Sequence, residues 1–351
     1  MKAFEKNIRK VEPYVPGEQP QQKVIKLNTN ENPYPPAPGV KKALDAMDVD
    51  RFRLYPDPTA GILVKTLAEY YGVGEDQVFV GVGSDDVLSM CFLTFFNSEK
   101  PIFFPDITYS FYKVWAELYR IPYELKELDD DFRLVKEDYY KENGVIIFPN
   151  PNAPTGLYED LSVVEDIIAH NPDVIVIVDE AYVDFAGRSA LELIDKYENL
   201  IVVQTFSKAR SMAGMRIGYA ISNPVLIKYL NDAKYSFNSY TMNQTSLICG
   251  VEAVKDKKYF EEGIARIVET REWTKKELEK LGFSCLDSKS NFLFVTHPEY
   301  DAKEIFEALK EHQIYVRFWG TRRIEQYMRI SIGTKEEMEA LLAFLKEYVN
   351  K

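Results

Sequence analysis

Cysteine and histidine are scarce in this chain. Among 351 residues there are three cysteines, Cys91, Cys249 and Cys285, widely spaced and without a CxxC pair. Neither a disulfide framework nor a zinc ribbon can be built from such a set, and free thiols suit a reducing compartment. The three histidines, His170, His297 and His312, form no HExxH or comparable spacing, which argues against a His-ligated metal. No apolar stretch reaches the roughly 18 residues a membrane helix needs. The opening MKAFEKNIRK has no apolar core of a secretory signal. Positive charge is also in deficit: 43 Lys and Arg against 55 Asp and Glu give −12. A surface of that sign does not coat nucleic acid or an anionic membrane, although a local basic pocket is compatible with it. The expectation is a cytoplasmic protein that acts on small molecules, with no nucleic acid, membrane or metal partner.

What is present is enough apolar residue for a large core. Hydrophobic residues make up 46% and charged residues 28%, so two or three domains can form without metals or disulfides. Residues 13–38 are rich in Pro, Gln and Asn and read as an extended arm. Helical spacing marks 59–71 and 84–96. PIFF (101–104), VIIF (145–148), VIVIV (174–178), LIVVQ (200–204) and RIGYAI (216–221) are short apolar runs of the kind that form buried parallel strands. Residues 242–281 predict a long connecting helix, straight or kinked. The final 70 residues alternate short strands and helices. The fold class read from this pattern is α/β with a mostly parallel central sheet, plus a smaller α+β domain. The expected division is 1–50 for the arm and part of the small domain, 51–280 for the large domain with its connecting helix, and 281–351 for the C-terminal α+β domain. A cleft between the two is the default ligand site.

Four segments follow apolar runs and carry chemistry. GVGSDDVL (81–88) opens a helix after a strand, and free N–H groups there can bind phosphate. It is equally a plain strand–helix turn capped by Ser84 or Asp85, and Asp86 stands where a dinucleotide fingerprint needs glycine. VDEAY (178–182) sets Asp179 and Glu180 at a strand end. TFSKARSMAGMRIGY (205–219) offers hydroxyls at Thr205 and Ser207, a lysine at 208 and an arginine at 216. A lysine beside cations and partly desolvated gives up its proton more readily and can form a Schiff base, whereas the same residues on a surface loop would do nothing. FPNPNAPTG (148–156) is a rigid polar loop or a simple turn. Taken together they supply what pyridoxal phosphate requires: a phosphate cradle, an acid for the ring nitrogen and a lysine for the aldehyde.

With LNTNENPY, YPDPT, GSDD, ITYSFY, NPNAPTG, VDEAY, TFSKARSMAGMRIGY and RISIGT in this order over nearly the whole length, the chain resembles the histidinol-phosphate aminotransferase family of fold-type I pyridoxal-phosphate enzymes. The resemblance implies an aspartate aminotransferase-like fold and a transamination between histidinol phosphate and 2-oxoglutarate. It implies that Lys208 holds the cofactor aldehyde and later shuttles the proton. Asp179 would pair with the ring nitrogen, Tyr182 would reach the phenolic oxygen and Tyr109 would stack on the ring. Ser84, Asp85, Thr205, Ser207 and Arg216 would hold the phosphate. Tyr55 would reach the neighbouring subunit's phosphate, which implies a homodimer. Tyr14 and Asn32 would line the substrate pocket, and Arg317 and Arg329 would bind anionic groups. The family's Asn before PTG is Ala153 here, so either Asn152 takes its contact with a shifted backbone or that contact is lost. RFWGTRR (317–323) is unusually rich in arginine. Related readings are an aminotransferase for aromatic or aspartate-like amino acids, a threonine-phosphate decarboxylase, or a catalytically silent protein of this fold.

Overall fold

The computed structural model describes residues 2–350. A largely extended arm contributes β1 (Ile25–Lys26) and leads into α1 (Pro38–Asp45). Helices and strands then alternate: α2 (Gly61–Tyr71), β2 (Val78–Gly81), α3 (Ser84–Phe95), β3 (Ile102–Pro105), α4 (Phe111–Tyr119), β4 (Tyr123–Lys126), β5 (Ile146–Pro149), α5 (Leu161–Ala169), β6 (Val176–Asp179), β7 (Leu200–Thr205), β8 (Gly218–Ser222) and α6 (Pro224–Phe237). After α7 (Gln244–Lys255) and α8 (Lys257–Lys280) come β9 (Ser284–Cys285), β10 (Phe292–Thr296), α9 (Ala302–Glu311), β11 (Ile314–Tyr315), β12 (Arg317–Phe318), β13 (Met328–Ser331) and α10 (Lys335–Val349).

Seven strands form one sheet in the order β2-β8-β7-β6-β5-β3-β4. Successive side chains enter opposite layers. Val176, Val178, Leu200 and Val202 pack on one side with Leu63 of α2, Val164 and Ile167 of α5 and Leu247 of α7. Ile177, Ile201 and Val203 pack on the other with Val87 and Cys91 of α3, Trp115 of α4 and Ile227 of α6. Burial on both faces is why these strands read as unbroken apolar runs, each such side chain adding about 1.5–3 kcal/mol.

Two expectations need correction, and one strand carries no signal in the sequence. The strand in RIGYAI is not parallel to its neighbours: β8 runs antiparallel to both β7 and β2. The segment between β7 and β8 holds no crossover helix, only a 3-10 turn at Ala213–Met215, so the chain doubles back instead of crossing over. The edge strand β4 is YELK, half polar and partly exposed, and gives no apolar signal. The helix expected over 242–281 is two helices. They break at Asp256, whose carboxylate accepts the Tyr259 N–H at 3.1 Å and starts α8 afresh.

A second core lies at the C-terminal end. β10 pairs antiparallel with β13 and β9, and β12 adds to β13. The arm joins through β1, which pairs in parallel with β11 and buries Leu27. Phe260, Ile267 and Leu278 of α8 pack into the same core, so this helix serves both bodies. No helix among the described residues is long and apolar enough to cross a membrane.

Removing the cap at the α7–α8 break is expected to be a local loss. Asp256→Ala should lower the unfolding free energy by about 1 kcal/mol in urea titration without changing the slope. A neutral effect would mean that α7 and α8 behave as one rod.

Candidate active site

Strands β2, β5, β6 and β7 all end at the same edge of the sheet, where ligands bind in open α/β folds. A cavity of about 770 Å³ opens there, lined by residues from the arm, from these strand ends and from the C-terminal strands.

One corner is built for an anion. Gly83, with φ +86°, precedes α3 and caps it without any side-chain hydrogen bond, so the first amides of the helix stay free. Neither Ser84 nor Asp85 is the cap, and the Val82 N–H goes instead to Asp86 at 2.9 Å. A Cβ on Gly83 would lie 2.4 Å from an Arg216 nitrogen, and one on Gly218 only 2.3 Å from the Gly83 carbonyl carbon. Both glycines therefore keep the corner open for the guanidinium. Arg216 donates to Ser207 Oγ at 3.4 Å, and Thr205 Oγ1 donates to Ser207 Oγ at 3.0 Å. Ser84, Asp85, Thr205, Ser207 and Arg216 thus meet as anticipated. The Asp85 carboxylate accepts from Arg216 at 3.2 Å and from the Tyr109 hydroxyl at 2.8 Å.

Asp179 ends β6 and is 4% exposed. It accepts the Ala181 N–H at 3.2 Å and the Tyr112 hydroxyl at 2.7 Å. Burial pushes its carboxyl up to about 6, against the pull of these two donors. Lys208 Nζ donates to the Thr29 carbonyl at 3.1 Å and lies 5.6 Å from the centre of the Tyr182 ring. The Tyr182 hydroxyl accepts from Asn30 Nδ2 at 2.9 Å. The Tyr112 contact was not anticipated. Its one signal is its position three residues after Tyr109, across the turn that opens α4.

The opposite wall carries cations. Arg329 sits over the rings of Phe292 and Trp319, at 5.3 and 5.1 Å, and donates to the Asn28 carbonyl at 3.1 Å. Its Nε is buried without a partner, and among the described residues it makes no ion pair. Burial and the neighbouring Arg317 both work against its charge. Arg317 itself donates to the carbonyls of Val15 and Pro16 at 3.1 and 3.3 Å and so clamps the arm. Tyr14 of the arm stacks on Phe111 at 4.2 Å and lines the cavity. Within the arginine-rich loop, Arg323 is structural, holding Asp106 and the carbonyls of Leu128 and Asp129, while Arg322 lines the mouth.

Three expected residues do not line this chain's own cavity. Asn32 faces away from the cavity: its amide donates to the carbonyls of Lys208 and Ala209 at 3.1 and 3.3 Å. Asn30, two residues earlier, is the one on the cavity wall; its left-handed backbone (φ +56°) turns it inward to Tyr182 and Ser331. Asn152 does not take the missing asparagine contact. Ala153 lines the cavity, whereas Asn152 Nδ2 is spent on Ile107 O and Thr155 Oγ1, both at 3.0 Å, and its Oδ1 is buried without a partner. Tyr55 also lies away from its own cavity, 81% exposed and stacked on Tyr240.

The residues that do meet fit pyridoxal phosphate. The glycine-lined corner suits the phosphate, the buried carboxylate suits a cationic ring nitrogen, and the lysine suits the aldehyde. Without that cation Asp179 is a burden on the fold. Its carboxyl is higher in the folded than in the unfolded chain, so its stabilisation is greatest at low pH and is lost as pH rises from about 4 to about 6. The two units correspond to about 3 kcal/mol. In cofactor-free protein, thermal melts should show the difference in stability between Asp179→Asn and wild type moving in favour of the variant by that amount from pH 4 to pH 8. A pH-independent difference would contradict the assignment.

The comparisons with known proteins agree with this geometry. The model of the family "Aminotransferase class I and II" matches residues 22–345. A histidinol-phosphate aminotransferase of Clostridium botulinum (strain Langeland) is 50% identical over 353 aligned positions, covering 100% of both chains. That of Lactococcus lactis subsp. cremoris (strain MG1363) is 50% identical over 348, covering 99% of this chain and 98% of the other. Among solved structures, histidinol-phosphate aminotransferase from Sinorhizobium meliloti in complex with pyridoxal-5'-phosphate has a TM-score of 0.85 at 25% identity over 94% of this chain and 92% of that one. The chain belongs to the class I and II aminotransferases and, within them, to the histidinol-phosphate aminotransferase family.

Proposed function

We propose that the protein transfers the amino group of histidinol phosphate to 2-oxoglutarate, giving imidazole acetol phosphate and glutamate in histidine biosynthesis, with pyridoxal phosphate as cofactor. The observation that carries this reading is Arg329, a cation in the cavity wall with a buried, unpartnered Nε and no acidic partner among the described residues. Histidinol phosphate offers a phosphate and no α-carboxylate, whereas glutamate offers carboxylates. A guanidinium fork pairs with either, so one arginine serves both half-reactions. Relatives matching over the full length carry the name of this activity.

When bound, pyridoxal phosphate supplies an aldehyde for the amino group and a ring that withdraws electrons from the adjacent carbon. Asp179 is the acid that keeps a proton on the ring nitrogen. Lys208 Nζ is the base that removes the proton from the carbon bearing the amine and returns it, and it must be neutral to do so. Tyr182, held by Asn30, would donate toward the ring oxygen, and Tyr109 would cover one ring face. Ser84, Asp85, Thr205, Ser207 and Arg216 hold the phosphate. Arg317 keeps the arm and Tyr14 across the mouth, which excludes water.

The active form in this reading is a homodimer. Phe52, Leu54, Tyr55, Phe237 and Tyr240 are exposed in the single chain, and an apolar patch of that kind calls for a cover. A second subunit covers it and receives Tyr55 at its phosphate site. A cytoplasmic location suits the free thiols Cys91, Cys249 and Cys285.

A donor panel tests the function. Cofactor-loaded protein is mixed with 2-oxoglutarate and, in turn, histidinol phosphate, phenylalanine, aspartate and threonine phosphate. Glutamate should form with histidinol phosphate far faster than with the others. Arg329→Gln should lower kcat/KM about 10- to 100-fold for both substrates, the value of a hydrogen bond to a charged group. Equal rates with phenylalanine or aspartate, or carbon dioxide from threonine phosphate, would overturn the reading.

A further inference from the structure

Asp179 receives one donor on each oxygen, and one of the two is a side chain with no assigned role. Tyr112 is fully buried on α4, and its hydroxyl donates to Asp179 Oδ2 at 2.7 Å. Burial and the carboxylate together hold the phenol well above its usual range, which favours the protonated, donating form. Its ring is locked in an aromatic cluster: Phe104 lies edge-on at 6.0 Å, and Phe92 and Trp115 are tilted at 6.4 Å. Tyr109 meets it at 5.8 Å and 90°, and the Tyr112 N–H donates to the Tyr109 carbonyl at 3.1 Å. Tyr109, just ahead of α4, and Tyr112, in its first turn, are thus packed together beside Asp179.

We propose that Tyr112 is a positioning residue that sets the basicity of Asp179 and thereby decides where the proton between Asp179 and the cofactor ring nitrogen resides. This rests on the pyridoxal-phosphate reading of the site. The chemistry is a matter of sign. A donor on the carboxylate stabilises the anion and makes it a weaker base, which leaves the shared proton on the ring nitrogen. Without the donor, Asp179 pulls the proton toward itself and the ring withdraws electrons less strongly. The other groups facing Asp179 are Asp85 from α3, which makes it more basic, and Lys208 from the loop after β7, which makes it less so. Tyr109 and Tyr182 lie beside the Tyr112 phenol. All of these stay in place when only the Tyr112 hydroxyl is removed.

The test uses Tyr112→Phe, with Tyr139→Phe as control because the buried Tyr139 hydroxyl has no partner. In cofactor-free protein, the melting temperature of Tyr112→Phe relative to wild type should fall further as pH rises from 4 to 8. That trend should vanish when the change is made in the Asp179→Asn background, whereas the Tyr139→Phe offset should be flat. In loaded enzyme, Tyr112→Phe should lower kcat and weaken cofactor affinity, each about tenfold, with KM for both substrates unchanged; tenfold is the value of one hydrogen bond to a charged group. A pH-independent offset with unchanged cofactor affinity would overturn the proposal, since a purely packing role predicts that result. Should Tyr112→Phe fail to fold, a ring-fluorinated tyrosine at 112 is a stronger donor of nearly the same shape. It should then shift the pH dependence of stability in the opposite direction, and no shift would overturn the proposal. Unchanged cofactor binding in Asp179→Asn would instead count against the reading of the site, independently of Tyr112.

Discussion

At the floor of the cleft this fold buries a carboxylate without a cation, and in the wall it holds a guanidinium without an anion. Among the described residues, Asp179 has only the Tyr112 hydroxyl and the Ala181 N–H, and Arg329 has only a carbonyl and two aromatic faces. Charges in a cleft wall with no partner of opposite sign are unfavourable for the fold. Their presence in one cavity is explained by a ligand set that completes them: a ring nitrogen for the acid and a phosphate or carboxylate for the arginine. Stability is given up in the empty protein and recovered on binding.

The sheet makes this arrangement possible through one departure from a uniform parallel pattern. Because β8 doubles back beside β7, Arg216 at its start returns to the edge where α3 begins. The close approach of Gly218 to the Gly83 backbone then seats the guanidinium against the free helix end. The loop that makes this return also carries Lys208, whose backbone is braced by Asn32 from the arm. The arm, the sheet edge and the C-terminal strands therefore converge on one cavity that holds this lysine.

Much of this was legible in the sequence because local signals decide it. Asp179, Lys208 and the Ser84 corner each follow an apolar run, and period and strand-end position suffice to put them on one edge. The direction of β8 was not legible, since an apolar run does not state which way it points. Nor was the choice between Asn30 and Asn32, which depends on a left-handed residue and on partners, Ser331 and Asn291, some three hundred positions away. Tyr112 was hidden among 23 tyrosines. Only the packing of α4 on the sheet distinguishes it from a core residue. The polar edge strand β4 and the break at Asp256 escaped for a related reason: neither changes the apolar periodicity on which the reading relied.

The account stands most directly on Lys208. Borohydride reduction of protein incubated with pyridoxal phosphate, followed by peptide mass spectrometry, reads where the aldehyde carbon becomes fixed. The account predicts one tagged peptide per chain, the one containing Lys208 between Phe206 and Arg210. No tag there, or a tag spread over exposed lysines with Lys208 untouched, would contradict it.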